Sequence, residues 1–106
     1  MLKDFFIGFV KIHILYHASK EPICGVEVSE ELGRHGYRLS PGTIYPTLHH
    51  LANEGYLSVQ QKVVKGKVRK YYTITEKGLT ALGEARAKIT ELVEEVIEEE
   101  SEGSDN

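Results

Sequence analysis

Apolar residues are dense from Leu2 to about Ala18, with Asp4, Gly8, Lys11 and Ala18 leaving a narrow polar stripe at helical spacing. A helix that is apolar around most of its circumference needs cover on more than one side. Val10, Ile12, Ile14 and Tyr16 also alternate as a strand would, but the length and the sustained stripe favour a helix, which Glu21-Pro22 ends. A second, shorter helix is predicted from Gly25 to about Arg34, with Val26, Val28 or Ser29, and Leu32 inside and Glu27, Glu30 and Glu31 facing water. His35-Gly36 closes it. The third helix starts most clearly: Ser40 stands as N-cap and Pro41 takes the first helical position, where its missing amide costs nothing. This helix runs to Gly55 with Ile44, Leu48 and Leu51 on its inner face and Gly42, Pro46, His49, His50 and Asn53 on its outer one. Pro46 removes the bond its amide would give to Gly42 and biases Tyr45 away from helical geometry, so a kink or a shortened helix is expected there.

Tyr56 to Val64 and Val68 to Thr75 then read as antiparallel strands joined by Lys65-Gly66-Lys67, with Leu57, Val59, Val63, Tyr72 and Ile74 on one face. Thr75 caps a last helix whose Leu79, Leu82, Ala85, Ile89, Leu92 and Val96 recur at three- and four-residue steps, a stripe suited to pairing. The order helix, helix, helix, hairpin, helix predicts a mainly α fold with a small β-hairpin: a winged helix-turn-helix followed by a carboxy-terminal dimerisation helix. Residues 1–75 are expected to form the DNA-binding domain, 76–98 the dimerisation helix packed on it, and 99–106 an acidic disordered tail.

Composition adds two constraints. At 106 residues, 41% hydrophobic and 27% charged, the chain suits one domain with a modest core. The longest apolar stretch, Phe5 to Tyr16, is broken by Gly8, Lys11 and His13 and falls short of a membrane span. It is followed by no small-residue cleavage site, so neither a span nor a secretory signal is expected. The single cysteine, Cys24, has no internal partner and suits the reducing cytoplasm; nothing beside it in sequence would activate it, so it reads as a buried, inert thiol.

Charge is divided unevenly. Residues 1–75 hold ten Lys or Arg against six Asp or Glu, and residues 76–106 hold three against ten, so +4 and −7 make up the net −3. Lys62, Lys65, Lys67, Arg69 and Lys70 fall together without an intervening acid. In a winged helix such a run sits beside the recognition helix, where its cations, with Ser40 at the start of that helix, would bind DNA phosphates. Thr43, Tyr45, His49, His50 and Asn53 would read base edges of double-stranded DNA.

Phe5, Phe6, Phe9, Ile12, Leu82, Ile89, Leu92, Val93 and Val96 supply the expected homodimer interface, which also offers a site for a small hydrophobic effector. No cofactor and no catalytic group is expected, because the chain lacks a phosphate-binding glycine loop, a nucleophile setting and a Cys/His cluster. His13 and His17 stand four apart, a spacing that can hold a metal with further ligands, but they read as surface histidines. The rival readings of the whole are a protein-binding winged helix without DNA function, for which the basic hairpin has no use, and a metal- or ligand-sensing variant of the regulator.

Two segments carry a resemblance. Leu39-Ser40-Pro41-Gly42-Thr43-Ile44-Tyr45-Pro46, continuing through Leu48, Leu51, Glu54-Gly55 and Leu57, resembles the recognition helix of the PadR family of transcriptional regulators. Arg69-Lys70-Tyr71-Tyr72-Thr73-Ile74-Thr75-Glu76-Lys77-Gly78 is similar to the family's second wing strand and the start of its last helix. The resemblance implies dimeric repressors whose last helix packs with the first helix of the other subunit, on palindromic operators. The single last helix is similar to the short branch of the family, which includes regulators of drug efflux. Cys24-Gly25-Val26 departs from the family's usual His-Gly-Tyr, and the absence of Trp weakens a carry-over of drug binding between tryptophans.

Overall fold

The computed structural model of the chain describes residues 2–99. Four helices and one hairpin follow in the expected order: α1 (Leu2–Lys20), α2 (Gly25–Arg34), α3 (Pro41–Asn53), β1 (Leu57–Val64), β2 (Lys67–Ile74) and α4 (Glu76–Leu92), which continues as a wider π-helical segment, Val93–Glu99. The disordered tail expected from residue 99 falls outside the described residues, apart from Glu99, which ends that segment.

The core forms where the inner faces of α1, α2, α3 and α4 meet the base of the hairpin. Val10, Ile14, Leu15 and Ala18 of α1 pack with Val28 and Leu32 of α2, Ile44, Leu48 and Leu51 of α3, Leu57, Tyr72 and Leu82. Two expectations for these helices change. Ala18 belongs to the buried face of α1 and not to its polar stripe, and Val26 of α2 is half exposed because Val28 and Leu32 already fill the inner face. Leu82 is 2% exposed within its own chain, so it has no surface left for a partner and leaves the set of dimer contacts.

The hairpin is antiparallel and in register from Leu57 opposite Ile74 to Val64 opposite Lys67. Lys67 is therefore strand, not turn, and Tyr56 and Thr75 lie just outside the strands. The connection is the two-residue loop Lys65-Gly66, both at positive φ (51° and 77°), the backbone that matches the twist of two-residue hairpins. Ile23, in the link between α1 and α2, exchanges two backbone hydrogen bonds with Tyr72 (2.9 and 2.7 Å), giving the sheet a one-residue third strand. Burial is confined to the base: Leu57 and Tyr72 are buried, whereas Val59, Val63 and Val68, on the same face, are exposed as the ribbon leaves the body. With the free end of α4, this projection stretches the described chain to 63 Å along its longest axis, against 28 and 23 Å across.

Candidate nucleic-acid interface

Helix α3 is anchored by Ile44, Thr47, Leu48 and Leu51, all buried. That fixed inner face turns Gly42, Pro46, His49, His50 and Asn53 outward, all exposed, with Thr43 half-buried at the rim. Pro46 neither breaks nor ends the helix, which runs unbroken through it. Ser40 occupies the N-cap, but its side chain makes no capping bond; its carbonyl accepts the Thr43 and Ile44 amides at 2.9 and 3.1 Å. The Ser40 hydroxyl is thus not spent on the helix end.

Tyr45 behaves differently from the other outward residues. A β-carbon placed on Gly25 would lie 2.4 Å from Cε1 of Tyr45, so the Tyr45 ring covers the start of α2 in a space only glycine leaves open. The ring is 49% exposed and borders a cleft of about 440 Å³ between α2, α3 and the wing, with Gly25, Val26, Lys67, Arg69 and Lys70 around it. Burial first, and then neighbouring Tyr45, push the Tyr72 hydroxyl above the usual tyrosine range.

The wing presents the cations. Lys62, Lys65, Lys67, Arg69 and Lys70 are all exposed, and none forms an ion pair among the described residues. The register puts Lys62 directly opposite Arg69, on one face of the ribbon with Lys67, while Lys70 points to the other face. Lys62 Nζ lies 5.3 Å from the centre of the Tyr71 ring. Three cations on one face and one on the other let the ribbon meet phosphates from both sides.

A clamp missed in the sequence holds α3 to the wing. Thr75 Oγ1 donates to the Gly55 carbonyl (2.6 Å) and accepts from the Gly78 amide (3.1 Å), so one hydroxyl caps α4 and binds the turn that ends α3. Lys77 Nζ donates to the Glu54 carbonyl at 2.6 Å and lies 4.6 Å from the centre of the Tyr56 ring. Gly78 packs so closely that an added β-carbon would sit 2.2 Å from the Tyr56 carbonyl oxygen. The Thr-Glu-Lys-Gly segment thereby fixes the end of the recognition helix to the exit of the wing. The two glycines and the threonine were its sequence signal, although nothing in their spacing names the partners.

An open apolar groove of about 320 Å³ lies between α1 and α4, with Phe5, Phe9, Ile12, Ile89 and Leu92 along it. Phe6 does not join them, because its ring turns toward Tyr37, 6.5 Å away. Val96 is exposed beyond the groove, and Val93 is half-buried. Cys24 is buried, as expected. His13 and His17 are half-buried, not surface residues, because His35 at the end of α2 folds over them: the His13 and His35 rings stack at 4.6 Å. Burial, followed by the nearby His35 and His17, holds His13 below the usual imidazole value, so it is neutral at neutral pH.

No helix among the described residues is long and apolar enough to cross a membrane. The profile of the Transcriptional regulator PadR-like family matches residues 14–84, the span from the middle of α1 to the first turns of α4. The Transcriptional regulator Rv3488 of Mycobacterium tuberculosis is 43% identical over 105 residues, covering 99% of this chain and 98% of that protein. The Transcriptional activator GvpE1 of Halobacterium salinarum is 46% identical over 59 residues, 55% of this chain but only 30% of its own length. Among solved structures, a PadR family transcriptional regulator from Eggerthella lenta superposes with a TM-score of 0.79 at 29% identity, over 91% of this chain and 85% of its own. A winged helix with an exposed polar recognition helix, a basic wing and these relatives has one place: the chain belongs to the PadR-like family of transcriptional regulators.

Proposed function

We propose that the protein is a homodimeric repressor in the cytoplasm that recognises a palindromic operator, with α3 in the major groove and the wing on the adjoining backbone. The observation that carries this reading is the juxtaposition of two surfaces: an α3 face of exposed polar side chains, and beside it a ribbon with five exposed cations free of ion pairs among the described residues. Ser40, Lys62, Lys65, Lys67, Arg69 and Lys70 act on phosphates. Thr43, His49, His50 and Asn53 face base edges, and Tyr45 reaches DNA only through the exposed edge of a ring seated on Gly25. Residues 1–75 serve as the DNA-binding unit and residues 76–98 as the pairing helix. The apolar groove between α1 and α4 is covered by the corresponding helices of a second subunit, and space left between them would suit a small hydrophobic effector.

The test is a titration of the protein against a library of palindromic duplexes and against scrambled DNA, each at two salt concentrations. Specific operator binding should exceed scrambled binding by about 10³-fold or more, and both should weaken steeply with salt. Equal affinity for all sequences would overturn operator recognition and leave sequence-independent DNA binding, and no binding to duplex DNA would leave the protein-binding use of the fold.

A further inference from the structure

His13 and His17 stand one turn apart on α1, and the end of α2 brings His35 against them. One ring nitrogen from each of the three lies within 4.8 Å of the other two. The His17 Nε2 is buried and has no hydrogen-bond partner among the described residues. A buried imidazole nitrogen without a partner carries a desolvation cost that some ligand normally relieves. The nearest charged group is Glu31, whose Oε2 lies 3.8 Å from that nitrogen and whose other oxygen is held by Arg34. Beyond His17, a cleft of about 240 Å³ is bordered by Glu21, Glu27, Glu30 and Glu31, so the approach to the trio carries excess negative charge against Lys20 and Arg34.

Three convergent imidazoles with a carboxylate alongside are the donor set of borderline divalent ions, since imidazole nitrogens favour zinc and its late first-row neighbours over calcium or magnesium. We propose that His13, His17 and His35 bind one divalent transition-metal ion of the zinc class, with Glu31 beside His17 offsetting its charge. Metal–nitrogen bonds of about 2.0–2.1 Å place tetrahedral ligand nitrogens roughly 3.3 Å apart, so from separations within 4.8 Å the trio closes by no more than about 1.5 Å on binding. His35 is exposed and at a helix end, and its side chain can make most of that movement. The site joins α1 to the turn leading into α3. It stands independently of the DNA-binding reading.

The experiment is a titration of untagged, metal-stripped protein with Co²⁺, followed by its visible ligand-field absorption, and with Zn²⁺, followed by the melting temperature. One Co²⁺ per chain should saturate with an intense tetrahedral spectrum, and Zn²⁺ should raise the melting temperature. His35→Gln, a change at an exposed residue that the fold tolerates, should weaken binding by more than about tenfold and abolish the Zn²⁺ shift. His13→Gln should do the same, and circular dichroism establishes that each variant is folded. Absence of saturable binding, or unchanged binding and spectrum in folded His35→Gln, overturns the site.

Discussion

Gly78 shows how much one residue can decide. Its α-carbon lies where a methyl group would meet the Tyr56 carbonyl oxygen at 2.2 Å and the Ile74 side chain at 2.6 Å. The backbone oxygen cannot turn aside as a flexible side chain could, so Gly78→Ala must push α4 away from the start of β1 and loosen the Thr75 cap with it. Overpacking of this kind costs about 1–3 kcal/mol, and a thermal melt should register a fall of roughly 5–20 °C. Gly83→Ala, with nothing within 4 Å of the added carbon, is the matched control and should leave the melting temperature unchanged or slightly raised. An equal response of the two variants would remove the close approach as the reason for glycine. None of this was legible in the sequence, where Gly78 reads only as part of a recognisable segment; the close approach depends on residues 22 positions apart in the chain coming together at the exit of the hairpin. The same holds for Tyr45. Helical spacing turns it outward correctly, but the vacancy above Gly25 that draws its ring aside is a property of the packing of α2 on α3.

At the level of elements, α3 and the wing should fail in different ways when altered. Lys62, Lys67 and Arg69 share one face of a ribbon that leaves the body, and on the proposed reading they would meet the backbone of DNA and read no sequence. Replacing Lys67 or Arg69 with Ala should weaken binding to operator and scrambled duplex alike and reduce the slope of log K against log salt by about one for each phosphate no longer neutralised. Alanine at Thr43 or His49 should instead spare scrambled DNA and cost about 1–3 kcal/mol at the operator, relaxing preference at one base pair. A uniform loss from the α3 variants, or a changed sequence preference from the wing variants, would exchange the two roles. The elements themselves were legible because their signals are local: Ser40-Pro41 for the start of α3, Thr75 for that of α4, and the glycine of Lys65-Gly66-Lys67 for the hairpin turn, of which only Lys67 proved to be strand. Less legible was how each would be buried. Alternation puts Val59 and Val63 on the face of Leu57, as the register confirms, but alternation does not say where the body of the protein stops. Pro46 likewise predicts a disturbance that α3 absorbs, since the proline is exposed and only the Gly42 carbonyl loses its partner.

For the whole molecule, the outstanding demand for cover is on α1 and the end of α4. Leu2 and Phe5 at the start of α1 are 62% and 49% exposed, and Leu92, Val96 and Ile97 toward the end of the α4 segment are 49%, 55% and 61% exposed. Phe5 and Leu92 line an apolar groove between α1 and α4, and Leu2, Val96 and Ile97 add exposed apolar surface on the same two helices. Sequence periodicity anticipated such a surplus but assigned it too widely, counting Leu82, because a stripe at three- and four-residue steps does not distinguish the turns of α4 that rest on α1 from those that run past it. A two-fold partner would present the same two helices to each other and bury apolar area on both chains, in the way isologous dimers do. Sedimentation equilibrium at micromolar concentration should therefore give twice the chain mass. A chain carrying both Leu92→Glu and Val96→Glu should sediment as a monomer, because each carboxylate would have to be buried against apolar surface without a partner. Val63→Glu, at a wing position 73% exposed, should leave the dimer intact and controls for added negative charge alone. The two readouts are linked through DNA. Half-sites about 34 Å apart are held together only by a joined pair of recognition helices, so the monomeric variant should keep weak, salt-sensitive binding to scrambled duplex and lose the advantage of a palindrome over a single half-site. A double variant that still sediments as a dimer would place the interface elsewhere on the chain, and one that becomes monomeric yet retains full preference for palindromes would break the link between symmetry and recognition.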